Sequence, residues 1–205
     1  MARRSDHSRS ELREIIVEEG HSLMAQSGFA AFSAREVARR IGYSVGTIYN
    51  VFDSLDHLIF AINTRTFVLW TQFVRDRLSR AKGDRIAVLV QAYFDFAREN
   101  TNLWMAIYDH RLPPGMEMPA DDEEIRRQLT LVVIGELARL LPGRNESDLG
   151  RMARSLVATV HGHCTFALNG SFELMGEKDP VGLALTRVRE AVAANQDERV
   201  GELRP

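Results

Sequence analysis

Apolar residues recur three or four positions apart along most of the chain, which is the period of a helix that buries one face. No segment alternates strictly between apolar and polar residues, as a half-buried strand would. The pattern therefore predicts an all-α fold of about nine helices. The first helix, which Ser8 or Ser10 can cap, is expected to run to about Ser27. The others are expected at about residues 34–41, 45–51, 55–81, 85–99, 103–111, 121–141, 146–169 and 180–195, followed by a solvated tail after Gln196.

Residues 33–52, with the sequence SAREVARRIGYSVGTIYNVF, carry the most specific local signals in the chain. Ser33 is followed three positions later by Glu36, which is the spacing of a capping box, so a helix is expected to begin at Ala34. Gly42 stands where this helix must end, and glycine readily adopts the left-handed backbone that terminates helices. The first half of the segment therefore predicts a short helix with a defined start and end.

A second short helix is predicted directly after this turn, because Ser44 can cap it. Two short helices joined by a tight turn with glycine form a helix-turn-helix, whose second helix enters the DNA major groove. Thr47, Tyr49 and Asn50 would form the polar outer face of that helix, and the bare backbone of Gly46 would let a phosphate approach closely. Such geometry also occurs as plain packing, so the polar outer face is the feature that favours DNA binding.

The same segment resembles the signature of TetR-family transcriptional regulators. That signature has Ser or Thr, an acidic residue and Ala in its first helix, Gly-x-Ser in the turn, Gly-Thr-Ile-Tyr in the recognition helix, and then Phe. The matching positions are Ser33, Glu36, Ala38, Gly42, Ser44, Gly46, Thr47, Ile48, Tyr49 and Phe52. The resemblance implies a DNA-binding domain of residues 1–54 and a helical ligand-binding and dimerisation domain of residues 55–205.

The resemblance also implies roles for individual residues at the DNA. Ser33 and Tyr49 are expected to hold phosphates, and Arg35 to reach a phosphate or a base edge. The groove-facing surface is expected to comprise Ser44, Val45, Gly46, Thr47 and Asn50. The family often has Lys where this chain has Val45, and commonly Lys where it has Leu55. Losing both lysines removes two phosphate contacts or a base contact. Val45 could instead touch a thymine methyl. Leu55 has no such substitute, so either the affinity for DNA is lower or Arg39 and His57 compensate.

The formal net charge of −2 provides no general attraction for DNA, so the basic charge of a DNA-binding protein must here be local. Arg3, Arg4 and Arg9 lie on an arm ahead of the first predicted helix. Arginines on such an arm can pair with phosphates or enter a minor groove, and a solvated tail is the alternative interpretation. The arm is accordingly left out of the predicted DNA-binding residues.

Composition sets the frame for the rest of the chain. The 205 residues, 45% of them hydrophobic, suffice for the core of one large or two small domains. No apolar run is long enough to span a membrane, and the first residues are polar and basic, unlike a secretory signal. The single cysteine, Cys164, cannot form an intramolecular disulfide, which fits a reducing compartment. A cytoplasmic protein is expected.

Three neighbouring side chains, His161, His163 and Cys164, are of types that bind first-row metals. On a helix only His161 and Cys164 share a face, and two ligands do not complete a tetrahedral site. No metal is therefore expected, and a metal-responsive regulator is kept as an alternative. Neither a nucleophile motif nor a glycine-rich phosphate loop is recognisable, so neither an enzyme nor a cofactor is expected.

Aromatic residues are concentrated in the predicted C-terminal domain. A cavity among helices lined by aromatic side chains and a few polar groups is the usual form of a ligand site, and a core stripe is the alternative. The candidate ligand-binding residues are Trp70, Tyr93, Trp104, Tyr108 and His161. The tripeptide Val160-His161-Gly162 also resembles the Trp-His-Gly type of TetR-family C-terminal domain, with Val160 in place of Trp. This second resemblance implies a body that responds to a small molecule.

Together these features and the resemblance imply a homodimeric repressor that a small hydrophobic effector releases from double-stranded operator DNA. In the family plan, the last two long helices of each subunit pair with those of the partner. Small residues that would permit close approach are Ala158, Gly162, Ala184 and Ala191, and packing within the chain is the alternative for each of them. The long helix from Leu55 would transmit ligand binding as a rigid rod. A helix-turn-helix module that binds another protein and no ligand is the alternative.

Overall fold

The computed structural model describes residues 7–202, and the side chains of residues 7–196. Arg3 and Arg4 of the predicted arm lie outside these residues. The ten α-helices are Arg9–Ser27 (α1), Ala34–Ile41 (α2), Val45–Phe52 (α3), Leu55–Ser79 (α4), Arg85–Glu99 (α5), Thr101–Asp109 (α6), Ala120–Leu140 (α7), Glu146–Leu168 (α8), Ser171–Leu174 (α9) and Pro180–Glu202 (α10). No strand occurs between residues 7 and 202, and the predicted all-α fold is confirmed.

The start of α1 is decided by a capping box. The hydroxyl of Ser8 accepts a hydrogen bond from the backbone N–H of Glu11 at 3.2 Å, and the Glu11 carboxylate accepts one from the Ser8 N–H at 2.8 Å. Both bonds satisfy donors that a helix leaves unpaired at its first turn. Ser8, and not Ser10, is therefore the cap, and Arg9 belongs to the helix and not to an arm ahead of it.

A second capping box, predicted at Ser33 and Glu36, is not formed. Helix α2 begins at Ala34 as expected, but the Ser33 side chain makes no capping hydrogen bond. The Glu36 carboxylate instead accepts hydrogen bonds from Arg39 at 2.7 and 2.8 Å and from Arg40 at 2.9 Å. Charge-assisted bonds to guanidinium groups are stronger than a bond to a neutral backbone N–H, so the arginines one turn later take the carboxylate.

The end of the chain also differs from the prediction. The last helix continues to Glu202, beyond the end expected at about Asn195, so residues 197–202 are helical. This segment contains no proline, and Glu198, Arg199 and Glu202 favour a helix. The four-residue helix α9 was not predicted, because it is too short to show a helical period.

The chain divides into two compact units. The first unit combines the residues up to Leu69 with Asn100–Ile125. Its apolar core is drawn from five helices, α1 to α4 and α6, and includes Ile16, Val37, Ile48, Leu58, Ile62, Leu103 and Ala106. A helix that lies far along the chain therefore completes the N-terminal core. The predicted domain boundary after residue 54 stays a prediction.

Helix α6 is tied to the rest of the first unit by polar contacts as well as by packing. The amide of Asn102 donates to the carbonyl of Ala25 at 2.8 Å, and the buried amide of Asn63 donates to the carbonyl of Ala106 at 3.1 Å. Just beyond the helix, His110 Nε2 lies 3.0 Å from a carboxylate oxygen of Asp56. Hydrogen bonds between segments distant in sequence fix the orientation of α6 in this unit.

The second unit combines Trp70–Glu99 with the chain from Arg126 onwards. Its buried residues come from the end of α4 and from α5, α7, α8 and α10, and include Trp70, Phe94, Leu137, Val160 and Val188. Helix α4 runs without interruption from Leu55 to Ser79, through Asn63 and Thr64, and therefore contains residues of both units. Within residues 7–202, no helix combines the length and the apolar character that crossing a membrane requires.

Candidate nucleic-acid interface

The turn between α2 and α3 has the geometry that the sequence predicts. Gly42 has φ +75° and ψ 24°, in the left-handed region that favours glycine. The N–H of Tyr43 donates to the carbonyl of Ala38 at 2.9 Å, and the N–H of Gly42 donates to the carbonyl of Arg39 at 3.3 Å. These two bonds are those of a Schellman motif, which ends a helix and reverses the chain. Three residues therefore separate the two helices.

The beginning of α3 is capped by a pair of hydroxyl groups. Ser44 Oγ accepts a hydrogen bond from the N–H of Thr47 at 3.1 Å and lies 3.0 Å from Thr47 Oγ1. Ser44 is exposed and Thr47 is half-buried. The predicted cap is therefore formed, and the same two side chains present hydroxyl groups at the tip of the helix.

The inner and outer faces of α3 are clearly separated. Ile48 and Phe52 are 0% and 3% exposed and belong to the core of the first unit, against which Val45 also packs. Gly46, Tyr49 and Asn50 are exposed, and 41% of the Tyr49 surface is accessible. The spacing of these three residues places them on one side of a helix. The outer face of α3 therefore carries a phenol and an amide next to bare backbone.

The two predicted contact residues of the preceding helix lie near its start. Ser33 is half-buried and directly precedes α2, and Arg35 is exposed on its first turn. No ion pair of Arg35 is formed with any residue that the structure describes. The Arg35 guanidinium is thus available to an anion from outside the chain.

The other two arginines of α2 are committed to the protein itself. Hydrogen bonds from Arg39 and then Arg40 lower the pKa of Glu36 to about 2, so this carboxylate is charged at neutral pH. Arg40 also reaches α1, where it contacts Glu19 and Gln26 at 3.1 Å. This network joins α2 to α1 and leaves Arg35 as the cation of α2 that is free of it.

A residue that the sequence interpretation misplaced also touches the recognition helix. Arg9, the first residue of α1, donates from Nη2 to the backbone carbonyl of Asn50 at 3.3 Å. One turn later the guanidinium of Arg13 lies 5.0 Å from the centre of the Phe52 ring. Two cations of α1 therefore border α3. The choice of Ser8 over Ser10 as the cap is the sequence signal that could have placed Arg9 on the helix.

The predicted ligand-binding residues fall into both units. In the second unit, Trp70 packs edge-on to Tyr93 with ring centres 4.9 Å apart, and it stacks on Phe96 at 5.1 Å. The Tyr93 hydroxyl lies 3.0 Å from His161 Nδ1. Burial lowers the pKa of His161, which favours a neutral imidazole. An apolar aromatic cluster with one polar pair is the result.

The other two candidates lie in the first unit, on α6. Trp104 is fully buried and Tyr108 is 39% exposed, and their ring centres are 5.1 Å apart. The structure thus brings Trp70, Tyr93 and His161 together and joins Trp104 to Tyr108. A ligand site built from these five residues stays a prediction.

The residues considered for a metal point to separate partners. His163 Nδ1 lies 2.8 Å from the carbonyl of Thr159, while His161 pairs with Tyr93. Cys164 is buried, and burial raises the pKa of its thiol to about 12. Among the described side chains, no three His, Cys, Asp or Glu residues converge in a way that could hold a metal ion.

Two family models match the chain. Residues 16–62 match the model described as bacterial regulatory proteins, tetR family. Residues 86–191, about half of the chain, match the model described as tetracyclin repressor-like, C-terminal domain. None of the curated protein sequences resembles the chain closely enough to count as a match.

Solved structures share the fold over nearly the whole length. A Rhodococcus sp. RHA1 protein of unknown function is 20% identical with a TM-score of 0.69, covering 95% of this chain and 98% of its own. The multidrug binding protein EbrR, solved with imidazole, is 21% identical with a TM-score of 0.60 and coverages of 91% and 96%. FadR from Bacillus subtilis, solved with stearoyl-CoA, is 14% identical with a TM-score of 0.63 and coverages of 87% and 97%.

Proposed function

The chain belongs to the tetR family of bacterial regulatory proteins and is therefore a regulator of transcription, and we propose that it is a homodimeric repressor released from operator DNA by a small hydrophobic molecule. Membership of this family places it among DNA-binding regulators and not among enzymes. A repressor acts where the chromosome is, so the proposal includes a cytoplasmic location.

The outer face of α3 is the observation that carries the DNA-binding part of the proposal. Its inner face is anchored in the core, while Tyr49 and Asn50 extend outwards beside the exposed backbone of Gly46. An amide can pair bidentately with adenine, and a phenol can donate to a phosphate. We assign Asn50 to base readout, and Tyr49, Ser33 and Arg35 to the phosphate backbone. The remaining predicted contact residues lie at the beginning of α3: Ser44, Val45, Gly46 and Thr47.

A dimer is supported by the exposed surface of α8. Ser155, Ala158, Gly162 and Phe166 are all exposed and follow one another three or four positions apart, so they form one stripe along the helix. Nothing lies within 4 Å of the position that a Cβ on Gly162 would occupy. Ala184, another small residue of this region, is instead fully buried within its own chain. The stripe on α8 suits close contact with a second copy.

The effector part of the proposal is supported by the aromatic cluster of the second unit. Trp70 and Tyr93 supply an apolar surface, and His161 adds a neutral polar group. Such a combination suits a hydrophobic molecule with one hydrogen-bonding group. The multidrug binding protein EbrR and FadR, which was solved with stearoyl-CoA, have the same fold, so ligand binding occurs in proteins of this fold.

Selection of bound fragments from the source genome, followed by gel mobility shifts, tests operator binding. Replacing Asn50 with Ala should reduce discrimination at one base pair by about 1–3 kcal/mol, because the bidentate contact is lost.

Replacing Tyr49 with Phe should weaken binding to all sequences alike, because a phosphate contact carries no sequence information. Binding should also weaken steeply as salt is raised.

The matched control is Gln72→Ala, which removes an exposed amide of α4 outside the first unit. This variant should bind the selected fragments as the wild type does. If Asn50→Ala and Tyr49→Phe also bind as the wild type does, the outer face of α3 is not the DNA-reading surface. A protein that retains no fragment at low salt would contradict operator binding altogether.

A further inference from the structure

A cavity of about 340 Å³ lies in the second unit where α5 begins, α7 ends and the last part of α10 passes. Its apolar lining includes Ile86, Leu140, Val192 and Ala193. None of the residues predicted to bind the effector lines it. At about 30 Å³ for each water-sized group, the cavity has room for roughly ten heavy atoms.

The charged groups of the cavity are unequal in number. Three guanidinium groups and two carboxylates line it, which leaves an excess of one positive charge: Arg85, Arg139, Arg189, Asp84 and Glu136. Glu136 is only 7% exposed, and Arg85 holds it with two hydrogen bonds of 2.6 and 2.8 Å. Arg85 also donates to the carbonyl of Leu78 at 2.9 Å. Arg189 pairs with Asp84.

Arg139 is the remaining charged residue of the cavity lining. Within the described part of the chain, it makes no hydrogen bond and no ion pair at contact distance. The positive charge of Arg139 adds to the effect of Arg85 in lowering the pKa of Glu136, which lines the same cavity. Because both carboxylates are already paired, a guanidinium group without a partner stands beside an apolar wall.

We propose that this cavity binds a small amphipathic carboxylate, whose apolar body contacts Ile86, Leu140 and Val192 and whose carboxylate pairs with Arg139. A guanidinium group binds a carboxylate through two parallel hydrogen bonds. A dianion is disfavoured, since only one positive charge is in excess and two carboxylates lie nearby. A cation is disfavoured by the same excess. The site is additional to the proposed effector site and does not depend on it.

The cavity occupies its own face of α10. The α10 residues that line it are Arg189, Val192, Ala193 and Gln196, which share one side of the helix. A separate groove between α8 and α10 is lined instead by Ala191 and Asn195. Filling the cavity therefore does not require the surface of α8 that we propose for dimer contact.

Calorimetric titration of the full-length protein with octanoate tests the proposal. Octanoate has an apolar chain and a single carboxylate, and 1-octanol is the matching neutral probe. We expect octanoate to bind about tenfold more tightly than 1-octanol, and Arg139→Gln to remove that difference, because the charge-assisted pair is lost. Ala193→Trp, which fills the cavity from an exposed position, should abolish the binding of both probes.

Two variants on α10 serve as controls. Arg187→Gln removes an exposed arginine that does not line the cavity, and Ala194→Trp adds the same bulk at an exposed position outside it. Both should bind octanoate as the wild type does. The proposal is overturned if octanoate fails to bind, if it binds no better than 1-octanol, or if Ala193→Trp leaves its binding unchanged. Loss of octanoate binding in Tyr93→Phe alone would place the carboxylate at the aromatic cluster and would equally overturn it.

Discussion

At the scale of single residues, the backbone and the side chain of Asn50 lie in different environments. Its backbone carbonyl accepts a hydrogen bond from Arg9, and its amide side chain is exposed on the outer face of α3. A fixed backbone reduces the freedom that the amide must lose on binding a base. This geometry would favour the base readout that we propose for Asn50, which the sequence suggests only by residue type.

His21 on α1 makes stability depend on pH. Burial, with a smaller contribution from the charge of Arg65, lowers the pKa of His21 from 6.5 to about 4. Between pH 6.5 and pH 4 the unfolded chain therefore binds more protons than the folded chain, and stability falls as the pH falls through this window. Stability from this group is complete above pH 6.5.

Replacing His21 with Gln should remove this part of the pH dependence. Between pH 7.5 and pH 5, the free energy of unfolding of the wild type should fall by about 1 kcal/mol more than that of the variant, because His21 is only partly buried and solvent screens part of the effect. Urea unfolding of both proteins at the two pH values measures the difference. Equal losses in the two proteins would show that His21 titrates alike in the folded and unfolded chains.

At the scale of elements, the helix-turn-helix depends on one glycine and one ionic network. The left-handed backbone of Gly42 lets α2 end and α3 begin within three residues. The contacts of Arg40 with Glu19, Gln26 and Glu36 hold α2 against α1. The turn sets the angle between α2 and α3, and the network fixes the position of α2 against α1.

Replacing Gly42 with Ala should destabilise the first unit by about 1 kcal/mol, because an L side chain is strained in the left-handed region. Nothing lies within 4 Å of the new Cβ, so backbone strain is the only expected cost. Gly83→Ala is the matched control, since its Cβ also meets nothing and its φ is not positive. Denaturant unfolding measures both, and equal stability of the two variants would contradict the strain.

At the scale of the whole molecule, an exposed glycine in the middle of α8 needs an explanation. Glycine in a helix interior costs about 1 kcal/mol relative to Ala, and no neighbour of Gly162 among the described residues requires it. A second copy approaching closely along the stripe with Ala158 and Phe166 would require it. The exposed Gly135 in α7 offers a direct comparison, because a Cβ there would also meet no described atom within 4 Å.

Replacing Gly162 with Leu should weaken the dimer about tenfold or more, because a bulky side chain at a close helix contact costs roughly 1–3 kcal/mol. Gly135→Leu should leave the dimer unchanged. Sedimentation velocity over a range of concentrations measures both variants against the wild type. A wild type that sediments as a monomer, or a Gly162→Leu dimer of normal strength, would argue against the α8 contact.

Much of the local structure could be predicted from the sequence. The limits of α2 and α3, the left-handed Gly42 and the Ser44 cap depend on residues within four positions of one another, so a linear pattern contains them. The outer face of α3 follows from the same period. The predicted box of Ser33 and Glu36 is not formed although it too is local. Its reciprocal bond, from the Ser33 N–H to the Glu36 carboxylate, is replaced by bonds from Arg39 and Arg40.

Contacts between distant segments were decided only by the tertiary structure. Arg9 reaches Asn50, α6 completes the core of the first unit, and Arg85 pairs with Glu136, in each case across more than forty residues. Helical periodicity shows which face of an element is apolar, but it does not show which other element covers that face. The sequence alone therefore determined the helices and the DNA-reading device, and the packing of those helices decided which charges were paired and which, like that of Arg139, were left available.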